Sequence, residues 1–332
     1  MRAAVITAHG PPEVLQVQER PDPVAGPGEV VVDVAAAGVN FADTMARVGM
    51  YPDAPKPPMV VGYEVAGTVA EVGEGVDGLA AGDRVMAGTR FGGYASRVAT
   101  DAGNVVALPE RLSFEEAAAI PVNYPTAWTG LIEYGALADG QRVLIHAAAG
   151  GVGTAATQIA RRAGAEVWGT ASPGKHEAVR ANGVAHPLDY TRRGWHRGLP
   201  PFDVIMDAIG GRSFRRSYDL LRPGGRLIAF GASSVMSGEK RDLRAAVTAA
   251  VSMPRFNLIK QMSASKAVIG LNLLTLWDEY GSIARWAAPL KAMMEDGTLR
   301  PLVAEAFPLD RAADAHRFIA ERRNVGKVVL TP

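Results

Sequence analysis

A short glycine-rich segment constrains the fold more than any other part of the sequence. Residues 142–161 read RVLIHAAAGGVGTAATQIAR, in which an apolar run leads into three glycines and then into an alanine-rich helical pattern. A strand, a tight turn and a helix in this order let the backbone approach a pyrophosphate, and the helix N-terminus directs free N–H groups at the anion. The segment predicts a dinucleotide site with Gly150, Gly151, Val152 and Gly153 as contacts. The alternative is a turn that binds nothing.

The hydrophobic periodicity changes near residue 120. Earlier β-like runs are separated by Gly, Pro and Asp, and lie at 29–36, 65–72, 83–87 and 94–99. From there to residue 270, strand and helix patterns alternate, which is typical of a parallel sheet with helices on both faces. The tail predicts two helices and a strand, at 283–295, 312–321 and 327–330. It lacks a core pattern of its own, so we expect it to return to the first domain.

Composition narrows the functional classes. The chain has 332 residues with 35 Lys+Arg against 34 Asp+Glu, and no basic stripe, so we expect no nucleic-acid partner. It has no cysteine, which excludes disulfides and thiolate zinc sites, and its six histidines show no metal-binding spacing. We therefore expect no bound metal. The sequence shows neither a signal-peptide pattern nor an apolar run of transmembrane length, which predicts a cytoplasmic protein without a transmembrane segment.

The residues after the second strand of the dinucleotide unit favour NADPH over NADH. NAD-specific folds place an Asp or Glu about 20 residues beyond the glycines, to hold the ribose 2′-hydroxyl. Here the strand ends in Thr170, followed by Ser172 and Lys175. Hydroxyls and a lysine suit a 2′-phosphate, which a carboxylate would repel. Tyr190, after the third strand, is predicted to cover the same phosphate. The alternative is a solvated helix start whose side chains bind nothing specific.

Several further segments resemble a known family. They read AAGVNFADTMARVGMYP (36–52), VGYEVAGTVAEVGEGV (61–76), IPVNYPTAWTGL (120–131), LRPGGRLIAFG (221–231) and NVGKVVL (324–330). With the glycine motif, they make the chain resemble zinc-independent medium-chain dehydrogenase/reductases of the quinone oxidoreductase type over essentially its full length. Within that family it is similar to the vesicle amine transport protein homologue branch and to the enoylreductase domains of polyketide synthases.

The resemblance implies an α/β fold with two domains. A GroES-like, β-rich catalytic domain comprises 1–121 and 272–332, and an inserted Rossmann domain with a doubly wound parallel sheet comprises 122–271. The resemblance also implies a homodimer formed through the nucleotide domains. Zinc alcohol dehydrogenases of this fold place a Cys near the position of Asn40 and a His at that of Tyr63. We therefore expect no metal Lewis acid, and Tyr63 is predicted to pack in place of the zinc ligand.

The resemblance also assigns individual residues. Asn40 matches the residue that hydrogen-bonds the nicotinamide ribose or nearby substrate, although an Asn in a turn is the structural alternative. Tyr51 falls where related enoyl-thioester reductases carry a proton-donating tyrosine, and packing at the domain edge explains it equally well. Asp43 is predicted to cap a helix and His146 to belong to the core. The other predicted cofactor contacts lie in matching segments or at the carboxyl ends of sheet strands: Thr126, Gly231, Ala232, Leu271, Leu273 and Asn324.

These observations predict an NADPH-dependent, zinc-free reductase that transfers hydride to quinones or α,β-unsaturated carbonyl compounds. Such acceptors delocalise negative charge onto oxygen and need little acid–base assistance. An enoyl-thioester reductase of a biosynthetic pathway is the alternative, and a non-catalytic NADPH-binding lipid or membrane adaptor is an alternative of another class. The apolar and basic segment 237–277, with a helical pattern near 243–251, is left open as core, lid, dimer contact or membrane surface.

Overall fold

The described residues of the computed structural model are 1–235 and 251–332, and they form two compact units. One unit comprises Met1–Asn123 and Leu273–Pro332, and the other comprises 124–235 and 251–272. The described residues of the first unit form two sheets and those of the second form one, and each unit has its own cluster of buried apolar side chains.

Antiparallel strands dominate residues 1–123. These residues form two short helices, α1 (Phe41–Arg47) and α2 (Phe114–Ala117), and eight strands: β1 (Arg2–Ile6), β2 (Leu15–Glu19), β3 (Glu29–Val39), β4 (Met59–Val60), β5 (Glu64–Val72), β6 (Arg84–Gly88), β7 (Arg97–Asp101) and β8 (Val105–Ala107). The long strand β3 pairs with β5 and β7. Its alternate valines Val30, Val32 and Val34 lie in the core, as the two-residue period of a strand requires.

A parallel sheet organises the second unit. Its helices are α3 (Asn123–Trp128), α4 (Gly151–Arg162), α5 (His176–Asn182), α6 (Arg212–Leu220) and α7 (Leu258–Ala264), with a π-helical turn at Thr129–Tyr134. Its strands are β9 (Arg142–Ile145), β10 (Glu166–Ala171), β11 (His186–Asp189), β12 (Phe202–Asp207), β13 (Leu221–Ala229) and β14 (Ala267–Gly270). All pair in parallel, in the order β11-β10-β9-β12-β13-β14. This is the strand order of a Rossmann fold, and the chain reverses direction along the sheet between β9 and β12.

The tail returns to the first unit. It forms α8 (Leu273–Tyr280), α9 (Ala284–Glu295), β15 (Val303–Pro308), α10 (Ala312–Ala320) and β16 (Lys327–Thr331). β16 pairs antiparallel with β3 and parallel with β15, so the last strand of the chain extends the larger sheet of the first unit, which contains β3 and β5. This pairing explains why the tail has no core pattern of its own.

The predicted α/β fold class is confirmed, while some elements differ from their sequence patterns. The run at 94–99 forms a strand only from Arg97, because Tyr94 and Ala95 instead hydrogen-bond to residues outside that strand. The strand β15 and the helix α7 were not expected. Residues 243–250 of the helical pattern near 243–251 lie outside the described residues. Within the described ranges, the helices are too short or too polar to cross a bilayer.

Candidate functional site

The glycine-rich turn lies at the carboxyl end of β9, one of the two central strands at which the sheet order reverses. Ala147 has a left-handed backbone with φ of 53°, and its carbonyl accepts from Gly150 N at 2.8 Å. Gly150 precedes α4 with an extended backbone, and its own carbonyl accepts from Thr154 N. The N–H groups of Gly151, Val152 and Gly153 therefore lie in the first turn of α4, where no earlier helical carbonyl is available to them.

The glycines of this turn fit a close approach of backbone and phosphate. A Cβ on Gly153 would lie 2.3 Å from Ala147 O and 2.7 Å from Ala148 Cα, so only glycine lets α4 pack this closely on the turn. A Cβ on Gly150 would meet Ala147 O at 3.3 Å, a milder contact. First-turn N–H groups and the positive end of the helix dipole together favour an anion. The residues present therefore suit the pyrophosphate of a dinucleotide.

The residues predicted to select NADPH lie on both sides of the end of β10. Thr170 is buried, and its Oγ1 accepts from Ala147 N at 3.1 Å, so it supports the turn from beneath. Ser172 and Lys175 are half-buried and are joined by a bond from Lys175 N to Ser172 O. Tyr190 follows β11 and is exposed. The structure thus groups Ser172 and Lys175 in one turn and leaves Thr170 behind it.

Three other predicted contacts also lie at the carboxyl edge of the parallel sheet. Gly231 and Ala232 follow β13, and a Cβ on Gly231 would lie 2.9 Å from Ala208 O. Leu271 follows β14, donates its N–H to Ala229 O and buries its side chain. Thr126 lies buried in α3. Gly231, Ala232 and Leu271 therefore share the sheet edge that carries the glycine-rich turn.

The first unit holds the remaining predicted residues, and Asn40 is the most constrained of them. Its Nδ2 donates to Glu64 Oε1 at 3.0 Å, and its Oδ1 accepts from Lys327 Nζ at 2.6 Å. Lys327 also donates to Glu64, whose other oxygen accepts from Val122 N at 2.7 Å. Glu64 and Lys327 are buried, so this is a buried ion pair with its hydrogen bonds satisfied. It fixes the orientation of the Asn40 amide.

Tyr51 and Tyr63 form an aromatic cluster with Phe91. The two tyrosine rings are 6.3 Å apart in an edge-on arrangement, and the Tyr63 and Phe91 rings are 5.2 Å apart. Burial, followed by Asp53 and Asp43, raises the pKa of Tyr51 to about 12. Burial also raises the pKa of Tyr63 well above its ordinary value, with Asp43 the next cause. Both phenols therefore keep their protons at neutral pH and are hydrogen-bond donors.

The Tyr63 hydroxyl is the unusual atom of this cluster. The Tyr63 side chain is almost fully buried, and its hydroxyl makes no hydrogen bond of normal geometry to the described residues, although the neighbouring Tyr51 hydroxyl contributes to its raised pKa. A buried hydroxyl without a partner costs free energy that a ligand oxygen could recover. The sequence placed Tyr63 at the position of a zinc ligand and predicted packing there; the packing is observed, and the unpaired hydroxyl could not be foreseen.

Asp43 belongs to a separate buried chain of hydrogen bonds. Its carboxylate accepts from Asn40 N at 2.7 Å, which caps α1 as predicted, and from Tyr94 Oη at 2.9 Å. Tyr94 Oη contacts His316 Nε2, and Arg47 Nε donates to His316 Nδ1. This pattern assigns the proton of a neutral imidazole to Nε2. Burial, then Arg47, lowers the pKa of His316 to about 3, whereas burial raises the pKa of Asp43 to about 7.

Leu273 and Asn324 lie in the tail of the first unit. Leu273 begins α8 and is half-buried. Asn324 Nδ2 donates to Gly326 O at 2.9 Å, within the turn that precedes β16. Leu273 and Leu271, which the sequence grouped together, thus belong to different units. The sequence reasoning missed Glu64 and Tyr94, whose only local signals are a carboxylate and a phenol inside apolar strand patterns.

Comparison with known proteins identifies relatives along the whole chain. Residues 26–110 match the alcohol dehydrogenase GroES-like domain family, and residues 182–330 match a family described as zinc-binding dehydrogenase. The human synaptic vesicle membrane protein VAT-1 homolog is 38% identical over 340 residues, covering 100% of this chain and 86% of that protein. The polyketide synthase GfsB of Streptomyces halstedii is 39% identical over 306 residues, covering 92% of this chain and 5% of the synthase.

Three solved structures are also similar to this chain over essentially its full length. A mycobacterial protein complexed with NADPH has a TM-score of 0.86 at 30% identity, covering 100% of both chains. A quinone oxidoreductase of Pseudomonas syringae has a TM-score of 0.85 at 31% identity, covering 100% of both chains. The CurK enoyl reductase has a TM-score of 0.86 at 28% identity, covering 99% of both chains.

The residues present do not fit the zinc ion that one family description implies. Both polar atoms of the Asn40 amide are engaged, and the ammonium of Lys327 already neutralises the Glu64 carboxylate. The pKa of Tyr63 is raised, which opposes the phenolate that metal binding would require. In residues 1–235 and 251–332, no cluster of three His, Cys, Asp or Glu side chains is arranged to hold a metal.

Proposed function

Because the chain belongs to the zinc-independent medium-chain dehydrogenase/reductases, it is an oxidoreductase that uses a nicotinamide cofactor, and we propose that it transfers hydride from NADPH to quinones or α,β-unsaturated carbonyl compounds. The observation that carries the proposal is the pair of protonated phenols, Tyr51 and Tyr63, with the buried Tyr63 hydroxyl unpaired among the described residues. Hydride addition to a quinone or enone puts negative charge on an oxygen, and a neutral phenol donates to such an oxygen.

The chain's own residues have three tasks in this reaction. The cofactor, when bound, supplies the hydride. The first turn of α4 binds its pyrophosphate through backbone N–H groups. Asn40 presents an amide whose orientation is fixed by Glu64 and Lys327, which suits a hydrogen bond to the nicotinamide ribose. Tyr63 hydrogen-bonds the substrate oxygen, and Tyr51 donates the proton that the reduced product needs.

NADPH is preferred over NADH because of the residues around the end of β10. Ser172 and Lys175 offer a hydroxyl and an ammonium to the 2′-phosphate, and Tyr190 follows the adjacent strand β11. Asp189 ends β11 next to Ala171, one strand away from the end of β10, where NAD-specific folds place their ribose-binding acid. Its Oδ1 already accepts from Thr191 N and Oγ1, at 2.9 and 2.6 Å, and these bonds lower its pKa. The chain therefore satisfies this carboxylate itself.

Cofactor choice is tested by titrating the protein with NADPH and with NADH. We expect Lys175→Ala to raise the Kd for NADPH about tenfold, the size of one charge-assisted hydrogen bond, with little change for NADH. Arg180→Ala, in the same helical region and exposed, is the control and is expected to change neither Kd. An unchanged Kd for NADPH in Lys175→Ala would show that the phosphate assignment is wrong.

The reaction is tested by following NADPH oxidation with phenanthrenequinone, naphthoquinone, a 2-enal and crotonyl-CoA. We expect turnover with the quinones or the enal, and a drop in kcat of about a hundredfold for Tyr51→Phe, the usual size of a lost proton donor. Tyr63→Phe is expected to raise KM for the carbonyl substrate while leaving the protein at least as stable, because it removes an unpaired buried hydroxyl. Turnover with no acceptor, alongside NADPH binding, would contradict the proposal and favour a non-catalytic NADPH-binding protein.

An enoyl-thioester reductase is the second candidate. It is favoured by the similarity to a polyketide synthase and to the CurK enoyl reductase. The same residues would serve, because hydride addition to an enoyl thioester also places charge on a carbonyl oxygen. A kcat/KM for crotonyl-CoA above that for the quinones and the enal would select this candidate.

The homodimer expected from the resemblance stays a prediction, which light scattering of the purified protein tests.

A further inference from the structure

A buried chain of hydrogen bonds lies beneath the glycine-rich turn of the second unit. It begins at Ala147, whose N–H donates to Thr170 Oγ1 at 3.1 Å, and continues over 3.4 Å from that hydroxyl to His146 Nδ1. On the other side of the imidazole, His146 Nε2 lies 3.0 Å from Ser217 Oγ. Ser217 in turn donates to Asp207 Oδ2 at 2.7 Å. His146, Ser217 and Asp207 are all buried.

The hydrogen bonds of this chain have a single direction. Ser217 has one hydroxyl proton and donates it to Asp207, so it must accept from His146 Nε2. The other nitrogen, Nδ1, is then the acceptor for the Thr170 hydroxyl, and the imidazole is neutral. Burial lowers the pKa of His146, which agrees with a neutral ring. The Trp195 ring, 5.7 Å away and edge-on, packs beside it.

At its far end the chain holds a second turn. Asp207 Oδ1 accepts from Ile209 N at 2.8 Å and from Gly210 N at 3.4 Å, and Ser213 Oγ donates to Oδ2 at 2.7 Å. This turn follows β12, which is paired with β9. The hydrogen bonds therefore connect the turns after two adjacent strands, at the place where the order of the sheet reverses. Dinucleotides bind at such a reversal.

The composition of the cluster suggests a hydrolase triad, but its arrangement excludes one. Ser217 lies between the histidine and the aspartate, with His146 Nε2 3.8 Å from Asp207 Oδ2, and its hydroxyl is fully buried. Its proton is directed at Asp207, away from the base.

The cluster instead constrains the backbone at Ala147. A non-glycine residue with φ of 53° is held in an unfavourable conformation, and the bond from its N–H to Thr170 opposes relaxation.

We propose that His146 is a positioning residue for the dinucleotide: as the Nε2-protonated neutral imidazole, it ties the Ala147 turn to the Asp207 turn, so that the backbone groups of both meet the cofactor without rearranging. The inference rests on the dinucleotide binding that the proposed function requires. His146 does not contact the cofactor in this account. It acts through Thr170 on one side and through Ser217 on the other.

Two serines of α6 provide a matched test. Ser213 and Ser217 both donate to Asp207 Oδ2 at 2.7 Å, and only Ser217 also contacts His146. We expect Ser217→Ala to raise the Kd for NADPH, measured by fluorescence titration, about tenfold, and Ser213→Ala to raise it less than about threefold. Urea unfolding of both variants measures their stability separately. An equal change of Kd in the two variants would overturn the proposal.

Substitutions of His146 test the donor itself. The amide of His146→Gln reaches toward Ser217 and can donate to it, whereas His146→Leu cannot. We expect the Gln variant to keep the Kd within about threefold of the natural chain and the Leu variant to lose about tenfold or more. Equal affinities for the natural chain and the Leu variant would contradict the positioning role.

The tautomer can be read without any variant that must fold. Nitrogen NMR of the histidine-labelled natural chain is expected to show His146 protonated at Nε2 only, and a ring protonated at Nδ1 would refute the hydrogen-bond chain. The outcomes also separate the two proposals. If the natural chain binds NADPH and all variants bind it equally, the positioning role fails and the proposed function stands. If the natural chain binds neither NADPH nor NADH, both fail.

Discussion

Removing the charge of Lys327 tests whether the ion pair behind Asn40 is desolvated. The Lys327 and Glu64 side chains are 3% and 0% exposed, so neither charge is solvated by bulk water. Lys327→Met keeps most of the side-chain length and, among the residues that the structure describes, leaves the Glu64 carboxylate with Asn40 Nδ2 and Val122 N as donors. Because the surviving charge stays buried without its counter-ion, we expect the free energy of unfolding to fall by about 3–5 kcal/mol. That is a large fraction of the stability of an ordinary domain.

The double variant separates the charge effect from a packing effect. Glu64→Gln strands the ammonium and is expected to cost about as much as Lys327→Met. Combining the two substitutions removes both charges, so the double variant is expected to be more stable than either single variant. Arg215→Met is the control, because it breaks an ion pair with Asp219 whose side chains are 63% and 56% exposed. We expect that control to change the free energy by about 0.5 kcal/mol or less.

The assay is urea unfolding at matched protein concentration, followed by tryptophan fluorescence. If the losses of Lys327→Met and Glu64→Gln simply add in the double variant, the two charges do not depend on each other and the reasoning is refuted. A second readout concerns Asn40. Its Oδ1 loses the Lys327 donor, so one hydrogen bond instead of two orients the amide, and we expect weaker NADPH binding in Lys327→Met than in the Arg215→Met control.

Two further predictions use geometry and pKa. Gly153→Ala is expected to cost about 1–3 kcal/mol of unfolding free energy and to weaken NADPH binding, because the new Cβ overlaps the Ala147 carbonyl. Gly174→Ala, whose new Cβ meets nothing within 4 Å, should leave the unfolding free energy unchanged, and equal losses for the two variants in urea unfolding would contradict the close packing. His316, with its pKa lowered to about 3, adds stability that is fully present above about pH 6.5 and is lost as the pH falls toward 3. The advantage of the natural chain over His316→Gln should therefore shrink by about 2 kcal/mol from pH 7 to pH 5 in urea unfolding, and a constant difference would refute it. Asp43, whose raised pKa makes the stability fall as the pH rises, is present both in the natural chain and in His316→Gln, so its contribution cancels in this comparison.

The parallel-sheet unit could be predicted from the sequence because its signals are local. Each strand is a short apolar run, and the helix after the glycines begins at Gly151, within a residue of the expected start. The strand β15 was missed because it pairs with β16 across a helix and shows no alternation, since Phe307 is the one buried residue of its six. The helix α7 was missed because its apolar side chains are exposed, so it has no buried stripe to reveal its period.

The candidate site was predicted less completely, because its supporting contacts join residues far apart in the chain. Lys327 reaches Glu64 across 263 residues, and Tyr94 reaches His316 across 222. A sequence motif marks residues that lie near a ligand, and it carries no information about partners so distant in the chain. For this reason the sequence gives no indication of the structural role of His316.

In each unit, buried side chains hold a predicted cofactor contact in a fixed orientation. In the first, an ion pair holds the Asn40 amide; in the second, a directed chain of hydrogen bonds that ends at Asp207 holds the Ala147 turn. In each case a group predicted to face the cofactor is neutral or a backbone N–H, while the titratable groups that fix it are buried behind it. Hydride transfer gains from such an arrangement, because donors that are already oriented need not reorganise as charge develops on the substrate oxygen. It follows that substitutions in the buried layer should weaken cofactor binding without touching the cofactor, which distinguishes a supported site from a surface that merely happens to be polar.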